Sequence, residues 1–494
     1  MKKRNIIIKF VLPLNIMFFL GSSCTDEVEN LQPFINGNPA TFFNSVSAFQ
    51  NGLDGGYLQL RNYYADSGSG YQGMPDILSD NVVQAFTGRL SNDVYYDYRY
   101  VPSTAGFINR TFSEAYEAVN VANLIIGQID NLPDAEPQKN DILAQALAIR
   151  AMAHLDLVRL YAQIPTQSDG ANASPGIAYI QVENGDIADP LDQLERETVQ
   201  SNYNDIVADL ERAAGLIDAE NGEGRFDRDG VYGLLSRVYL YMGRYEDAVN
   251  AADQVSVPLA TGAELEGMYQ DANEAGIVLE LSIDTGTETG TNTLGNNVGV
   301  LYSQSSPDAV IVEYAIEFDL WNSIDEATDA RADAMQFVAV DGDGNSYNGI
   351  SKFFGETGQN NGRVDIKAIR AAEVILNKAE AEFELGREAD ALATLDELRA
   401  VRFDPFVAGT ETGQALEDAI QFNRRVELAF EGHRFFDLKR RGESVVRSNN
   451  GDIIDGSGTP ADALTLDAGD FRFQLPIPIN ETNANPNFNQ NPGY

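Results

Sequence analysis

Two stretches of the chain repeat one plan, and that plan restricts the fold more than any other feature. From Asp229 onward, Val231, Leu234, Leu235, Val238 and Met242 follow an i, i+3, i+4, i+7, i+11 stripe that Gly243 breaks. The segment "MGRYEDAVNAADQV" then starts a second helix with Ala248, Ala252 and Val255 on one face. Ile369, Ala372, Leu376, Ala379 and Phe383 mark another helix, "LGREADA" ends it, and Ala391, Leu395 and Leu398 line the next. A helix, a glycine turn and a second helix with small residues at the crossing cannot bury both stripes alone.

The unit resembles the tetratricopeptide repeat, in which small side chains let two helices approach closely. The two clear copies are not in tandem, since over a hundred residues separate them. Residues 141–163, "DILAQALAIRAMAHLDLVRLYAQ", read as the first helix of another pair, with "NYNDIVADLERAAGLI" at 202–217 as its companion. The expected fold is mainly α: tetratricopeptide-like helix pairs forming a scaffold, with large loop-rich insertions carrying short strands. Residues 55–110 and 280–360, rich in Gly, Asn, Ser, Thr and Tyr, are those insertions, where binding surfaces are usually placed. An N-terminal region over 45–255 and a C-terminal region over 256–494 are expected to form one continuous unit.

The chain begins Lys2-Lys3-Arg4, continues through the apolar run "FVLPLNIMFFL" and reaches Gly21-Ser22-Ser23 before Cys24. Residues 1–23 therefore read as a secretory signal, with a run shorter than the roughly 20 residues a membrane span needs. Cys24 is the only cysteine, which excludes an intramolecular disulfide. Its place resembles the acylated first residue of a bacterial lipoprotein, with Gly21 where that signal usually carries leucine. "TDEVE" after it resembles the surface-export signal of Bacteroidetes lipoproteins, so residues 24–44 are expected to be a lipid-anchored acidic tether.

Charge and motifs exclude several functions. Asp plus Glu number 75 against 34 Lys plus Arg, and a net charge of -41 repels nucleic acid and anionic membrane surfaces. No G-x-S-x-G elbow, H-E-x-x-H zinc helix or G-x-x-x-x-G-K-[ST] loop occurs, so no catalytic residue, cofactor or metal is assigned. Asp341, Asp343 and Asn345 in "DGDGNSYNG" alternate as calcium ligands do, but Ser346 stands where an EF-hand needs Gly and no Glu closes the loop; a hairpin turn is expected. His154, one of two histidines, is expected to pack structurally.

Dispersed motifs then converge. "SDN" at 79–81, "AYEAVNVAN" at 115–123, "RAMAHLDLVRLYAQIP" at 150–165, "GLLSRVYLYMGRYEDAV" at 233–249, "IRAAEVILNKAEAEFELG" at 369–386, "RRVELAFEGHRFFDLKRRG" at 424–442 and the terminal "PNFNQNPGY" resemble, in order, the SusD/RagB family. The resemblance implies a non-enzymatic outer-membrane lipoprotein of Bacteroidetes that captures an oligosaccharide or polysaccharide at the cell surface. It also implies delivery of that glycan to a SusC-type TonB-dependent transporter, or peptide uptake as in RagB-like members. The 424–442 element gathers Glu427, Glu431, His433, Arg434 and Asp437, which invites a catalytic reading. The resemblance implies a scaffold signature instead. Phe422, Val426, Phe430 and His433 continue one apolar stripe, and Arg424, Glu427, Glu431 and Arg434 form a charge ladder along a neighbouring face.

Sugars are held by aromatic faces, with polar groups on the hydroxyls. "YYDYRY" makes Tyr95, Tyr96, Tyr98 and Tyr100 the expected ligand contacts, the alternative being a strand with tyrosines packed inward. Tyr71, Tyr302 and Tyr347 follow from other Gly/Asn-rich loops. Trp321, beside Ile316, Leu320 and Ile324, is expected in the core, and Asp329 and Arg331 are expected to pair locally.

Overall fold

The computed structural model describes residues 39–86, 88–181, 194–218, 220–283, 297–305, 310–356 and 362–494. The signal, Cys24 and most of the tether lie outside the described residues. Helix α1 (Val46–Tyr64) starts where the Ser45 hydroxyl accepts from the Ala48 amide, and it buries Phe49, Leu53, Gly56, Leu60 and Tyr64 on one face. It runs well into the stretch from residue 55 that was expected to be loop. Gly56 sits where α1 passes close to its neighbour: a Cβ there would lie 3.1 Å from Ile149 Cδ1. Helices α2 (Phe107–Gln128) and α3 (Lys139–Tyr161) follow, and α3 is buried on all sides from Asp141 to Tyr161. A helix buried all round must be a core helix. Helix α4 (Val199–Ala214), capped by the Thr198 side chain, packs on α3 as its expected companion.

The two pairs legible from periodicity are α5 (Arg228–Tyr241) with α6 (Tyr245–Ala252), and α8 (Ala371–Glu384) with α9 (Glu388–Ala400), separated in sequence by α7 (Gly262–Tyr269). Their turns are closed alike. Gly243 (φ 69) and Gly386 (φ 74) adopt the left-handed conformation, Arg244 and Arg387 amides donate back to Tyr239 and Glu382, and the glycine amides donate to Leu240 and Phe383. That is the Schellman arrangement. Helices α6 and α8 pack together, so the distant pairs do stack, and residues 43–494 form one body.

Short strands join in antiparallel pairs, within the insertions as β1 (Val82–Gln84) with β5 (Tyr314–Ile316), β3 (Ser303–Ser305) with β4 (Val310–Val312) and β6 (Gln336–Val340) with β7 (Ser346–Ile350), and largely outside them as β2 (Ile277–Leu281) with β8 (Ile366–Arg370) and β9 (Val445–Val446) with β10 (Thr465–Leu466). The β6–β7 connection is the expected hairpin turn at 341–345, with Asp341 accepting from the Asp343 and Asn345 amides at 2.9 Å. Trp321 is half-buried against the main core, and Asp329 accepts from Arg331 at 2.7–2.8 Å as expected. His154 is buried, accepts from the Ile180 amide and stacks on Tyr179 at 3.8 Å.

The 424–442 element departs from one continuous helix. Helix α10 (Gln414–Glu427) stops, and α11 (Arg434–Arg440) begins after a turn in which Phe430 (φ 69) and Gly432 (φ 78) are left-handed. Asp76 causes the break by accepting the Phe430 and Gly432 amides at 2.9 Å. The charges are consequently not a surface ladder. Glu427 accepts from Arg370 and Arg402, and Glu431 from Arg370, Lys352 and the Tyr269 hydroxyl. Arg424 pairs with Asp437 at 2.9 Å, and Arg434 pairs with Asp80 at 2.7 Å. Phe422, assigned to the apolar stripe, is 41% exposed. Removing one partner of such a buried pair leaves an uncompensated charge and typically costs about 3 to 5 kcal/mol. His433 is buried, and burial together with the Arg237 and Arg424 charges lowers its pKa well below the usual imidazole value. It is a buried core histidine.

Candidate functional site

The seven tyrosines expected to meet ligand all lie in the interior. Tyr71, Tyr95, Tyr96, Tyr98, Tyr100, Tyr302 and Tyr347 are each at most 3% exposed, so the expectation of a stacking platform among them is corrected. Their hydroxyls explain the burial, because each finds a partner inside. Tyr95 donates to Ala105 O at 2.8 Å, Tyr98 to Leu78 O at 2.8 Å, Tyr100 to Arg472 O at 2.5 Å and Tyr302 to Phe430 O at 3.1 Å. Tyr96 donates to Val82 O at 3.4 Å, Tyr347 to Asp341 at 3.0 Å, and the Tyr71 oxygen accepts from Arg159 Nε at 2.6 Å. Nor is "YYDYRY" an alternating strand. Asp93–Tyr96 is a short helical turn and Tyr98 (φ 56) is left-handed, which turns all four rings inward. The Arg447 guanidinium covers the Tyr96 ring at 3.9 Å and the Tyr98 ring at 4.8 Å. Burial pushes the phenols up, Tyr95 to about 12.

The most exposed aromatic among the described residues lies a few residues earlier. Strand β1 ends at Gln84, and the chain that leaves the sheet beyond it carries Phe86, 65% exposed, and Leu90, 45% exposed. Two buried carboxylates hold its backbone. Asp452, 3% exposed, accepts from the Phe86 amide at 2.9 Å and from the Thr459 amide at 2.7 Å. Glu313, 1% exposed, accepts from the Arg89 amide at 2.9 Å, from Arg89 Nε at 2.5 Å and from the Ser91 hydroxyl at 3.2 Å. The Ala85 amide donates to Glu313 O, and the Ser91 carbonyl accepts from the Tyr314 hydroxyl at 2.6 Å. Gly88 fits because a Cβ there would lie 2.7 Å from Val312 O.

Leu90 (φ 54) and Asn92 (φ 65) are both left-handed, a conformation that costs a side-chain-bearing residue on the order of 1 kcal/mol and persists only where surroundings over-determine it. Here the hydrogen bonds to Glu313, Asp452 and Tyr314 do so. Phe86 therefore presents an apolar ring from a backbone amide held by Asp452, with the half-exposed guanidinium of Arg89 a short step further along the chain. A ring face with an amphipathic cation nearby suits the CH face of a sugar and its hydroxyls. Sequence reasoning passed over Phe86 because a lone Phe in "QAFTGRLSND" has no periodicity. Its signal was the isolation of a large apolar residue between turn-forming ones.

A family model described as SusD family matches residues 342–494, and one described as "Starch-binding associating with outer membrane" matches residues 44–240. The chain is 23% identical over 535 residues to SusD-like protein P2 of Formosa agariphila, covering 98% of this chain and 100% of that one. Among solved structures, a SusD superfamily protein from Bacteroides thetaiotaomicron superposes with a TM-score of 0.78 at 26% identity, over 91% of this chain and 100% of that one. A "Putative sugar binding protein" from Bacteroides vulgatus superposes with a TM-score of 0.77 at 27% identity, over 92% and 99%.

Proposed function

The chain belongs to the SusD/RagB family, and from that premise we propose that it is a surface-tethered, non-enzymatic protein that captures a glycan on the Phe86 segment and passes it to a SusC-type TonB-dependent transporter. The observation that carries the reading is Phe86, an exposed ring on a backbone fixed by Glu313 and Asp452. The sugar-binding description of one structural neighbour and the starch-binding description of one family model support a carbohydrate over a peptide. A net charge of -41 favours neutral glycans over uronic-acid or sulfated ones, which it repels.

Affinity electrophoresis against a panel of neutral and acidic polysaccharides tests this. Phe86→Ala is expected to weaken binding about tenfold, or ~1.4 kcal/mol, while changing folding stability by less than about 0.5 kcal/mol. Tyr98→Ala, in the buried cluster, is expected to do the opposite: about 3 to 5 kcal/mol of stability lost, with affinity kept at a temperature where the variant is folded. Saturable peptide binding with no glycan retarded would replace the glycan with a peptide ligand.

We further propose that Cys24 is acylated and anchors the protein in the outer membrane. No helix among the described residues is long and apolar enough to cross a membrane. Metabolic labelling with a fatty acid should mark the wild type and not Cys24→Ala; label persisting in the variant refutes the anchor.

A further inference from the structure

A second polar cluster has no part in the Phe86 surface. Strand β2 places Glu280 opposite Lys367 of β8, with its side chain 2% exposed. Neither Glu280 carboxylate oxygen has a hydrogen-bond donor. A buried carboxylate without a donor is costly, and structures normally supply one. The nearest cation, Lys367 Nζ, lies 3.5 Å from Glu280 Oε2 and is committed to a hydrogen bond with Asp271. Asp271 itself, left-handed at φ 52, also accepts from the Asp365 amide, and Asp365 accepts from the Ile283 amide at 2.5 Å. Those two acids are satisfied by protein donors. Glu280 is not.

Two exposed acids converge on it from other segments. Glu223 comes from the connection between α4 and α5, and Glu274 from the connection between α7 and β2. One carboxylate oxygen of Glu223, one of Glu274 and one of Glu280 all lie within 4.8 Å of one another. Oxygens bound to a single Ca²⁺ sit about 2.3–2.6 Å from it, so two of them on opposite sides are at most roughly 5 Å apart. The spacing fits one coordination sphere. With no sulfur or nitrogen donor among the three, the set suits a hard divalent cation.

We propose that Glu223, Glu274 and Glu280 bind one Ca²⁺ ion, with Glu280 as the fixed inner ligand and the two exposed glutamates closing over the ion, water filling the remaining positions. The ion gives the Glu280 oxygens the direct contact that no hydrogen-bond donor supplies, beside the Lys367 ammonium 3.5 Å away, and ties the connections before α5 and before β2 to the β2–β8 pair. The site is independent of the glycan reading.

The test uses the mature protein stripped with EGTA and titrated with CaCl₂ by calorimetry, together with Tm in about 10 mM CaCl₂ against about 1 mM EGTA. One Ca²⁺ per chain is expected, with a Kd near or below about 10⁻⁴ M, and a Tm that rises with Ca²⁺. Glu280→Gln, which keeps the shape and removes the charge, should weaken Ca²⁺ binding at least tenfold. Glu274→Gln, at an exposed position, should weaken it as well and decides the question should Glu280→Gln fail to fold. Absence of saturable heat and of any Tm shift in the wild type overturns the proposal. So does Ca²⁺ binding that both variants retain, or Mg²⁺ binding as tight as Ca²⁺.

Discussion

Asp80 shows how a single residue in this protein takes its meaning from distant partners. Burial by itself would raise its carboxyl, but the guanidiniums of Arg425 and Arg434 outweigh it and hold the pKa at about 2. A folded-state pKa below the unfolded one stabilises the fold above about pH 4, and that contribution is lost as pH falls from about 4 to about 2. Its size is on the order of 2 kcal/mol. Tm measured from about pH 7 to about pH 2 should therefore show a gap between wild type and Asp80→Asn that is constant down to about pH 4 and closes toward about pH 2. A gap that stays open at the acid end would mean that the ion pair is not its source. At this scale the sequence was least legible. Seven tyrosines in polar loops read as surface platforms, yet each has a hydroxyl that a buried carbonyl, carboxylate or guanidinium can satisfy, and nothing local tells an inward phenol from an outward one. Phe86, with no polar atom to betray it, carries the exposed face.

Elements were legible wherever a period ran long enough. The α5–α6 and α8–α9 pairs follow from stripes interrupted by a glycine, and both glycines sit in left-handed helix ends. The stripe through Val426 and Phe430 misled for the same reason: the apolar spacing continues across a break imposed from outside by Asp76. Glycines of the two kinds should differ in what they tolerate. Gly386→Ala places a Cβ in open space and should cost only the backbone term, about 1 kcal/mol. Gly432→Ala adds contacts at 3.0 Å to Gln72 O and 3.2 Å to Tyr71 O, so on the order of 2 kcal/mol or more is expected. Urea unfolding of the two variants separates these costs. Equal losses would show that the α10–α11 turn gives way freely.

Across the whole molecule, helical class and the two helix pairs followed from the sequence, while the packing of one pair on the other and the pairing of Asp80 and Phe86 with residues beyond 430 did not, because no local pattern says which arginine meets which acid. The first insertion is closed by residues from the far end of the chain. Arg447 donates to the carbonyls of Ile77, Ser79 and Tyr96, Arg434 reaches Asp80 across 354 positions, and Asp452 holds the Phe86 amide across 366. That arrangement sets an order of events in folding. The helices from α1 to α6 can form while the chain is being made, but the Phe86 amide has no acceptor until Asp452 has arrived. Loop closure over such separations is slow compared with helix formation. The proposed binding segment thus waits on a residue made late in the chain, and a chain cut short anywhere before Asp452 would lack the carboxylate that accepts the Phe86 amide.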